Sequence, residues 1–107
     1  MANIEDFSKL GLKIARVISA EKVEGSDKLL KLQVSLGNEE RQILAGIAKV
    51  YQPEQLINTE IIVVTNLETR LLMGLESQGM LLACQEDTGE PVLLRPEHEV
   101  SPGSIIR

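Results

Sequence analysis

The stretch Leu12-Lys-Ile-Ala-Arg-Val-Ile-Ser-Ala-Glu-Lys-Val23 decides the fold class. Its apolar residues do not stay on one face of a strand. They occur as the successive pairs Leu12/Ile14, Ala15/Val17 and Ile18/Ala20. Because neighbouring side chains of a strand point to opposite faces, each change of phase requires a bulge or a strong bend. Small barrels need such a bend where a strand passes a corner, so this stretch predicts the bent first strand of a barrel.

Short strand-like segments separated by turns follow along the chain. Apolar and polar residues alternate from Leu30 to Leu36, which predicts a half-buried strand with Lys31 and Gln33 on its solvent face, and residues 41–45 return as its hairpin partner. Residues 61–65 form a continuous β-branched run, typical of a strand buried on both faces. Further strand segments are predicted at residues 80–84, 91–94 and 101–106. The pattern as a whole predicts an all-β fold, a closed or nearly closed antiparallel barrel.

Two short helices accompany these strands. Asn3 can cap a helix that runs to Leu10, with Asp6 as its capping-box partner. Pro53 suits the first turn of a second helix, which we expect to lie in a connection at one end of the barrel.

The composition fits a single domain that spans residues 1–107. Of these residues 43% are hydrophobic and 25% are charged, and no linker-like segment or internal repeat interrupts them. No apolar run approaches the ~20 residues of a membrane helix, and the N-terminus is acidic, so we expect a cytoplasmic protein without a membrane partner. The single cysteine, Cys84, excludes an internal disulfide, and its apolar neighbours predict a buried, inert thiol.

The sequence offers little to support an enzyme. His98 lies in a polar segment where an exposed loop histidine is expected, and no acid pair stands with a nucleophile or base at a useful spacing. A glycine-rich phosphate loop and a metal-binding motif are also missing. We therefore predict no catalytic residue, no cofactor and no metal.

The net charge of −5 speaks against a nucleic-acid partner, but the charges are unevenly distributed along the chain. Residues 1–50 carry a net charge of +1, whereas residues 51–107 carry −6. Within the second half, the run from Asn66 to Met80 places an amide, a guanidinium, a hydroxyl and two glycines between apolar strand segments. We interpret this run as a polar surface displayed by the barrel and predict that it binds RNA.

Several strings of the sequence together resemble one known family. They are Val23-Glu-Gly-Ser-Asp-Lys-Leu-Leu-Lys-Leu32, Ala45-Gly-Ile-Ala-Lys49, Tyr51-Gln-Pro-Glu-Gln-Leu56, Asn66-Leu67 with Arg70, and Gly74-Leu-Glu-Ser-Gln-Gly-Met80. In this order and near this spacing they are similar to the tRNA-binding domain found at the carboxy terminus of many methionyl-tRNA synthetases and in free-standing tRNA-binding proteins. The resemblance implies an OB-fold, a five-stranded antiparallel barrel with short helices and extra C-terminal strands. It also implies a homodimer that binds the shape of folded tRNA with little sequence preference, with the catalytic part of a methionyl-tRNA synthetase as a further partner.

The resemblance also implies an RNA face, which comprises Lys28, Lys31, Asn66, Arg70, Ser77 and Met80. The cations would neutralise phosphates, and the guanidinium can bind two oxygens at once. The amide and the hydroxyl would contact 2′-hydroxyls or base edges, which favours RNA over DNA. Met80 would supply an apolar contact.

Two departures from the family pattern predict weaker binding than in basic relatives. Relatives commonly have Pro-Arg-Lys after Asn-Leu, whereas this chain has Thr69-Arg70-Leu71 and so lacks one cation. Glu68 adds a carboxylate near Arg70. In the opposite direction, Gln78 stands where many relatives have Glu, which removes a repulsive charge. With Phe7 and Tyr51 as the only aromatic residues, a platform for stacking bases is not expected.

A second hypothesis assigns the chain to a different class, a protein-interaction or dimerisation module or a chaperone-like relative of the same fold. In it an apolar edge of the barrel meets another chain. For a homodimer, the resemblance directs attention to the N-terminal helix and to Ile105 and Ile106, which have no evident place in the barrel.

Overall fold

The structure, a computed structural model, describes residues 1–107 as two short helices and nine strands. The helices are α1 (Ile4–Lys9) and α2 (Pro53–Leu56). The strands are β1 (Leu12–Lys22), β2 (Leu30–Ser35), β3 (Glu40–Ala45), β4 (Glu60–Val64), β5 (Arg70–Leu72), β6 (Leu75–Ser77), β7 (Met80–Leu81), β8 (Ala83–Gln85) and β9 (Pro91–Leu93). Neither helix has the length and apolar character needed to cross a membrane.

The long strand β1 organises a five-stranded antiparallel sheet in the order β3-β2-β1-β4-β7. Its first half pairs with β4 from Leu12 to Arg16, and its second half pairs with β2 as far as Lys22. The register shifts between Val17 and Ser19, which is the bulge that the change of apolar phase predicts. The sheet bends there, and the all-β barrel prediction is confirmed.

The core fills the inside of this bent sheet. β2 shows the predicted alternation, with its three apolar side chains fully buried, and β4 is buried along both faces apart from Ile62. The buried cluster consists of Ala15, Val17, Leu30, Leu32, Val34, Leu36, Ile43, Ala45, Ile47, Leu56, Ile61, Val63 and Leu93. Leu56 comes from α2, which therefore covers one end of the barrel as expected.

Backbone and side-chain hydrogen bonds close the barrel between the outer edge of β3 and the residues at the end of β6. The Gln78 N–H donates to Gln42 O at 2.8 Å, and the Gln42 N–H donates to Gln78 Oε1 at 2.9 Å. Ser77 Oγ accepts from the Leu44 N–H at 3.0 Å and donates to Gly79 O at 2.9 Å. An edge strand must satisfy its outward N–H groups, and here a serine and a glutamine do so.

The C-terminal region departs from the predicted strands at two places. The predicted strand at residues 101–106 does not form, and only Ile105 pairs with Lys13 in an isolated bridge. The predicted strand at residues 80–84 is two strands: β7 pairs with β4, and β8 leaves the main sheet to pair with β9. Cys84 lies in β8 and is exposed, so the prediction of a buried thiol is wrong. All three side chains of β8 are exposed, which the apolar neighbours of Cys84 in the sequence do not reveal.

The chain ends attach to the barrel through β1. Asn3 and Asp6 form the predicted capping box at the start of α1. Near the C-terminus, the Gly103 N–H donates to Ile14 O at 2.7 Å and the Ile106 N–H to Leu12 O at 3.0 Å. Both ends therefore meet beside the first half of β1.

Replacing Ser77 with alanine should destabilise the fold, because the Leu44 N–H would be left buried without an acceptor. A lost partner of this kind costs about 1–3 kcal/mol. Urea unfolding measures the loss, with Ser19→Ala as the control, since the exposed Ser19 makes no side-chain hydrogen bond. Equal stabilities for the two variants would contradict the closing role of Ser77.

Candidate nucleic-acid interface

The run from Asn66 to Met80 is an ordered hairpin and not an irregular loop. β5 and β6 pair antiparallel, with Arg70 opposite Ser77 and Leu72 opposite Leu75. The turn between them contains Met73 and Gly74, both with positive φ (54° and 77°), which is the backbone of a tight two-residue hairpin turn. Little in the sequence indicates this hairpin, because its strands have three residues each and the turn lacks an Asn-Gly pair.

Asn66 lies at the base of this hairpin, next to the end of α1. Its Nδ2 donates to Lys9 O at 2.5 Å, and its backbone N–H donates to Leu10 O at 3.1 Å. The side chain is exposed, and Oδ1 accepts no hydrogen bond from the protein. A fixed amide with a free carbonyl oxygen can accept from a ribose 2′-hydroxyl.

Arg70 opens β5 as an exposed cation. It forms no ion pair, and the neighbouring Glu68 does not approach it closely enough to form one. The guanidinium is therefore free to bind a phosphate, as predicted for this position.

The two lysines of the predicted face differ in availability. Lys28 is exposed in the turn before β2 and has no ion-pair partner, whereas Lys31 Nζ lies 2.6 Å from Glu21 Oε1 on the neighbouring strand. Lys31 and the unpaired Lys22 line a groove of about 330 Å³ whose other wall includes Met73 from the hairpin turn. The fold thus brings cations of the first half of the sequence beside the hairpin of the second half.

Ser77 and Met80, the last two residues of the predicted face, differ in exposure. Ser77 is 1% exposed, and its hydroxyl is engaged with Leu44 and Gly79, so it supports the barrel and offers nothing to RNA. The reason is that β6 turns this side chain toward β3, which lies 33 residues away in sequence. Met80, by contrast, is exposed and can supply the predicted apolar contact.

Glutamines extend the polar surface between the sheet and the hairpin. Gln33 Nε2 donates to Gln42 Oε1 at 3.0 Å, and Gln42 Nε2 donates to Glu76 O at 2.8 Å. Together with Gln78 they line a groove of about 370 Å³. This row of glutamines was not predicted from the sequence. The one feature that pointed to it was the position of Gln33 on the solvent face of β2.

Other polar groups show no arrangement suited to catalysis or metal binding. No cluster of three or more His, Cys, Asp or Glu side chains is placed to hold a metal ion. His98 is exposed, with Nδ1 at 3.1 Å from Glu99 O. Glu60 is buried at the other side of the barrel, where it pairs with Arg16 and accepts from the Val100 N–H. That carboxylate fastens the C-terminal segment to the barrel.

The family assignment rests on a match over most of the chain. Residues 12–105 fit the model of a family described as "Putative tRNA binding domain". The chain belongs to this tRNA-binding domain family. The predicted resemblance is therefore confirmed, and the matched residues contain β1 to β9, including the whole hairpin from Asn66 to Met80.

Curated relatives of the domain are much longer proteins. It is 53% identical over 103 residues to a methionine–tRNA ligase of Caldanaerobacter subterraneus subsp. tengcongensis and 51% identical over 104 residues to one of Archaeoglobus fulgidus. These alignments cover 96% and 97% of the chain but 16% of each ligase. The domain therefore corresponds to a small part of such enzymes.

Solved structures match the domain over its full length. A MetRS related protein from Pyrococcus horikoshii superposes with a TM-score of 0.93 at 37% identity, and the match covers 100% of this chain and 98% of that one. The chaperone CsaA from Bacillus anthracis gives 0.90 at 34% identity, with 100% and 99% covered. The barrel with its added C-terminal strands is thus the fold of this family.

Proposed function

We propose that the domain binds folded tRNA without sequence specificity, as an accessory domain of methionyl-tRNA synthetase or as a free-standing homologue. The family match across residues 12–105 carries this proposal. The geometry supports it, because the hairpin holds a free guanidinium and a free amide oxygen on a rigid barrel. We retain Lys28, Lys31, Asn66, Arg70 and Met80 as the RNA face and withdraw Ser77 from it.

The structure favours recognition of backbone and shape over recognition of bases. Phe7 belongs to α1, and Tyr51 packs against the core while its hydroxyl accepts from the Leu93 N–H at 3.1 Å. Tyr51 is thus unavailable for stacking, and Phe7 lies in the groove between α1 and the C-terminal segment, so the two rings form no common stacking platform. Cations and a 2′-hydroxyl acceptor can still read the surface of a folded RNA.

In this role the domain acts on tRNA delivery and not on chemistry. Attached to a synthetase, it would raise the local concentration of tRNA near the catalytic part. It would contribute no catalytic residue and would work in the cytoplasm, where such synthetases charge tRNA.

We further propose that the domain forms a homodimer through an apolar groove between α1 and the C-terminal segment. Ile4 and Ile105 are 75% and 73% exposed and line this groove of about 380 Å³ together with Phe7 and Ile106. A second copy would bury these side chains in a two-fold interface. The dimer would present two RNA faces.

A second candidate function is protein interaction in the manner of a chaperone-like relative. Leu71 is 71% exposed on the hairpin, and Met73 is exposed at the turn. These apolar side chains lie beside the polar RNA face and favour contact with another protein.

Titration of tRNA at two salt concentrations tests the main proposal. Phosphate neutralisation requires affinity to fall as salt rises, with a logarithmic slope of roughly −0.7 to −0.9 for each phosphate contact. Fluorescence anisotropy of labelled tRNA at about 50 and 200 mM salt measures this slope. Binding that is absent, or independent of salt, would favour the protein-interaction function.

Variants of Arg70 and Asn66 test the site. Arg70→Gln should weaken tRNA binding and reduce the salt slope by about 0.7–0.9, because one phosphate contact is lost. Asn66→Ala should weaken binding with little change in slope, because the amide carries no charge. Arg95→Gln is the matched control, since Arg95 is also exposed but lies beside Glu97 and His98, away from the hairpin. An equal loss in all three variants would refute the assignment of the face.

Changes in the apolar groove test the dimer. Ile4→Asp and Ile105→Asp should each convert a dimer into a monomer, because a carboxylate would be buried in the interface. Ile57→Asp is the control, since Ile57 is exposed but lies outside the groove. Light scattering at micromolar protein gives the mass, and a monomeric wild-type domain would rule out this interface.

A further inference from the structure

The two ends of the hairpin segment are fastened to different parts of the barrel. At its start, the Thr65 N–H and Oγ1 both donate to Gly11 O, at 3.1 and 2.6 Å, which fixes this end beside α1. At its end, Ser77 and Gln78 are fixed to β3. The pairing of Val64 with Met80 in β4 and β7 already brings the two ends close, but neither set of bonds joins Thr65 itself to Gln78.

Arg41, at the start of β3, joins them. Its Nη1 donates to Thr65 O at 2.7 Å and to Gln78 O at 3.3 Å. Its Nε donates to Glu39 Oε1 at 2.6 Å, and the side chain is 25% exposed. A planar guanidinium with several donors in fixed directions can hold two carbonyls and a carboxylate together, which a lysine ammonium on its flexible stem does less well.

We propose that Arg41 is a positioning residue for RNA binding, which sets the spacing between Asn66 and Arg70 without touching the RNA. The inference rests on the proposed tRNA-binding function and deepens it. Asn66 directly follows Thr65, and Arg70 pairs with Ser77, which directly precedes Gln78. The guanidinium therefore links the neighbour of one RNA-binding residue to the strand that carries the other.

The positively charged guanidinium of Arg41 already interacts with groups of the protein itself. Glu39 neutralises it at 2.6 Å, and two backbone carbonyls take further donors. A surface that reads the shape of RNA needs its contacts held to about 0.5 Å, and residues behind the contacts supply that precision. Arg41 is such a residue, because it holds the segment that carries Asn66 and Arg70.

The experiment compares a charge-matched double variant with two single variants. Glu39→Gln/Arg41→Gln keeps the net charge of the wild-type chain but removes the guanidinium bridge, and it should bind tRNA at least about fivefold more weakly, the effect of one lost hydrogen bond. Its salt slope should equal that of the wild type, because no phosphate contact is removed. Glu39→Gln alone keeps the bonds of Arg41 to Thr65 and Gln78 and should bind at least as tightly as the wild type.

Hydrogen exchange reports the position of the hairpin without RNA. In the double variant the amides of residues 65–79 should exchange faster, while those of the β1–β2 pairing keep the wild-type rate. Arg41→Lys, which removes the least volume and charge, serves if the double variant does not fold, and it should show a partial loss of affinity with an unchanged slope.

Each outcome discriminates between the inference and the function on which it rests. Wild-type affinity in the double variant and in Arg41→Lys overturns the positioning role. A reduced salt slope also overturns it, because Arg41 would then contact a phosphate directly. A wild-type domain that binds no tRNA removes the proposed function itself, whatever the variants do.

Discussion

The proposed RNA face depends on one constraint, the need of β3 to satisfy its outward N–H groups. The main sheet provides no neighbouring strand on that side, so Ser77 and Gln78 supply acceptors for Leu44 and Gln42. Gly79 lets this segment come close, since a Cβ there would lie 2.8 Å from Val64 O. The bonds that close the barrel therefore also fasten the hairpin that carries Arg70.

The sequence predicts what short-range patterns encode and misses what distant contacts decide. The bend of β1, the alternation in β2 and the capping box of α1 are local, and all three are confirmed. The burial of Ser77 depends on β3, far away in the chain, and the exposure of Cys84 depends on β8 leaving the sheet. Neither has a local signal, because a serine near a glycine and a cysteine among apolar residues each fit several environments.

The acidic net charge is compatible with RNA binding because the fold separates free cations from paired ones. Glu21 and Glu39 neutralise Lys31 and Arg41, while Arg70 and Lys28 have no ion-pair partner. Counting charges along the chain shows an excess of cations in the first half but cannot show which are free. Pairing is a tertiary property, and here it leaves seven of the eleven Lys and Arg side chains without an ion-pair partner.

The proposed RNA face holds two cations without an ion-pair partner, Lys28 and Arg70, so the spacing of its contacts would matter as well as its charge. A basic patch attracts any nucleic acid, since phosphate neutralisation carries no information on sequence or shape. A face with few free cations contributes little affinity unless those cations and the amide of Asn66 meet their partners at the same time. Discrimination then comes from the rigid geometry of the hairpin. In the proposed function, linkage to a second copy or to a larger enzyme would add affinity, because effective concentration can replace additional contacts. An acidic domain that binds folded RNA weakly by itself suits such a linked role. It suits the role of a tight RNA binder that acts alone less well.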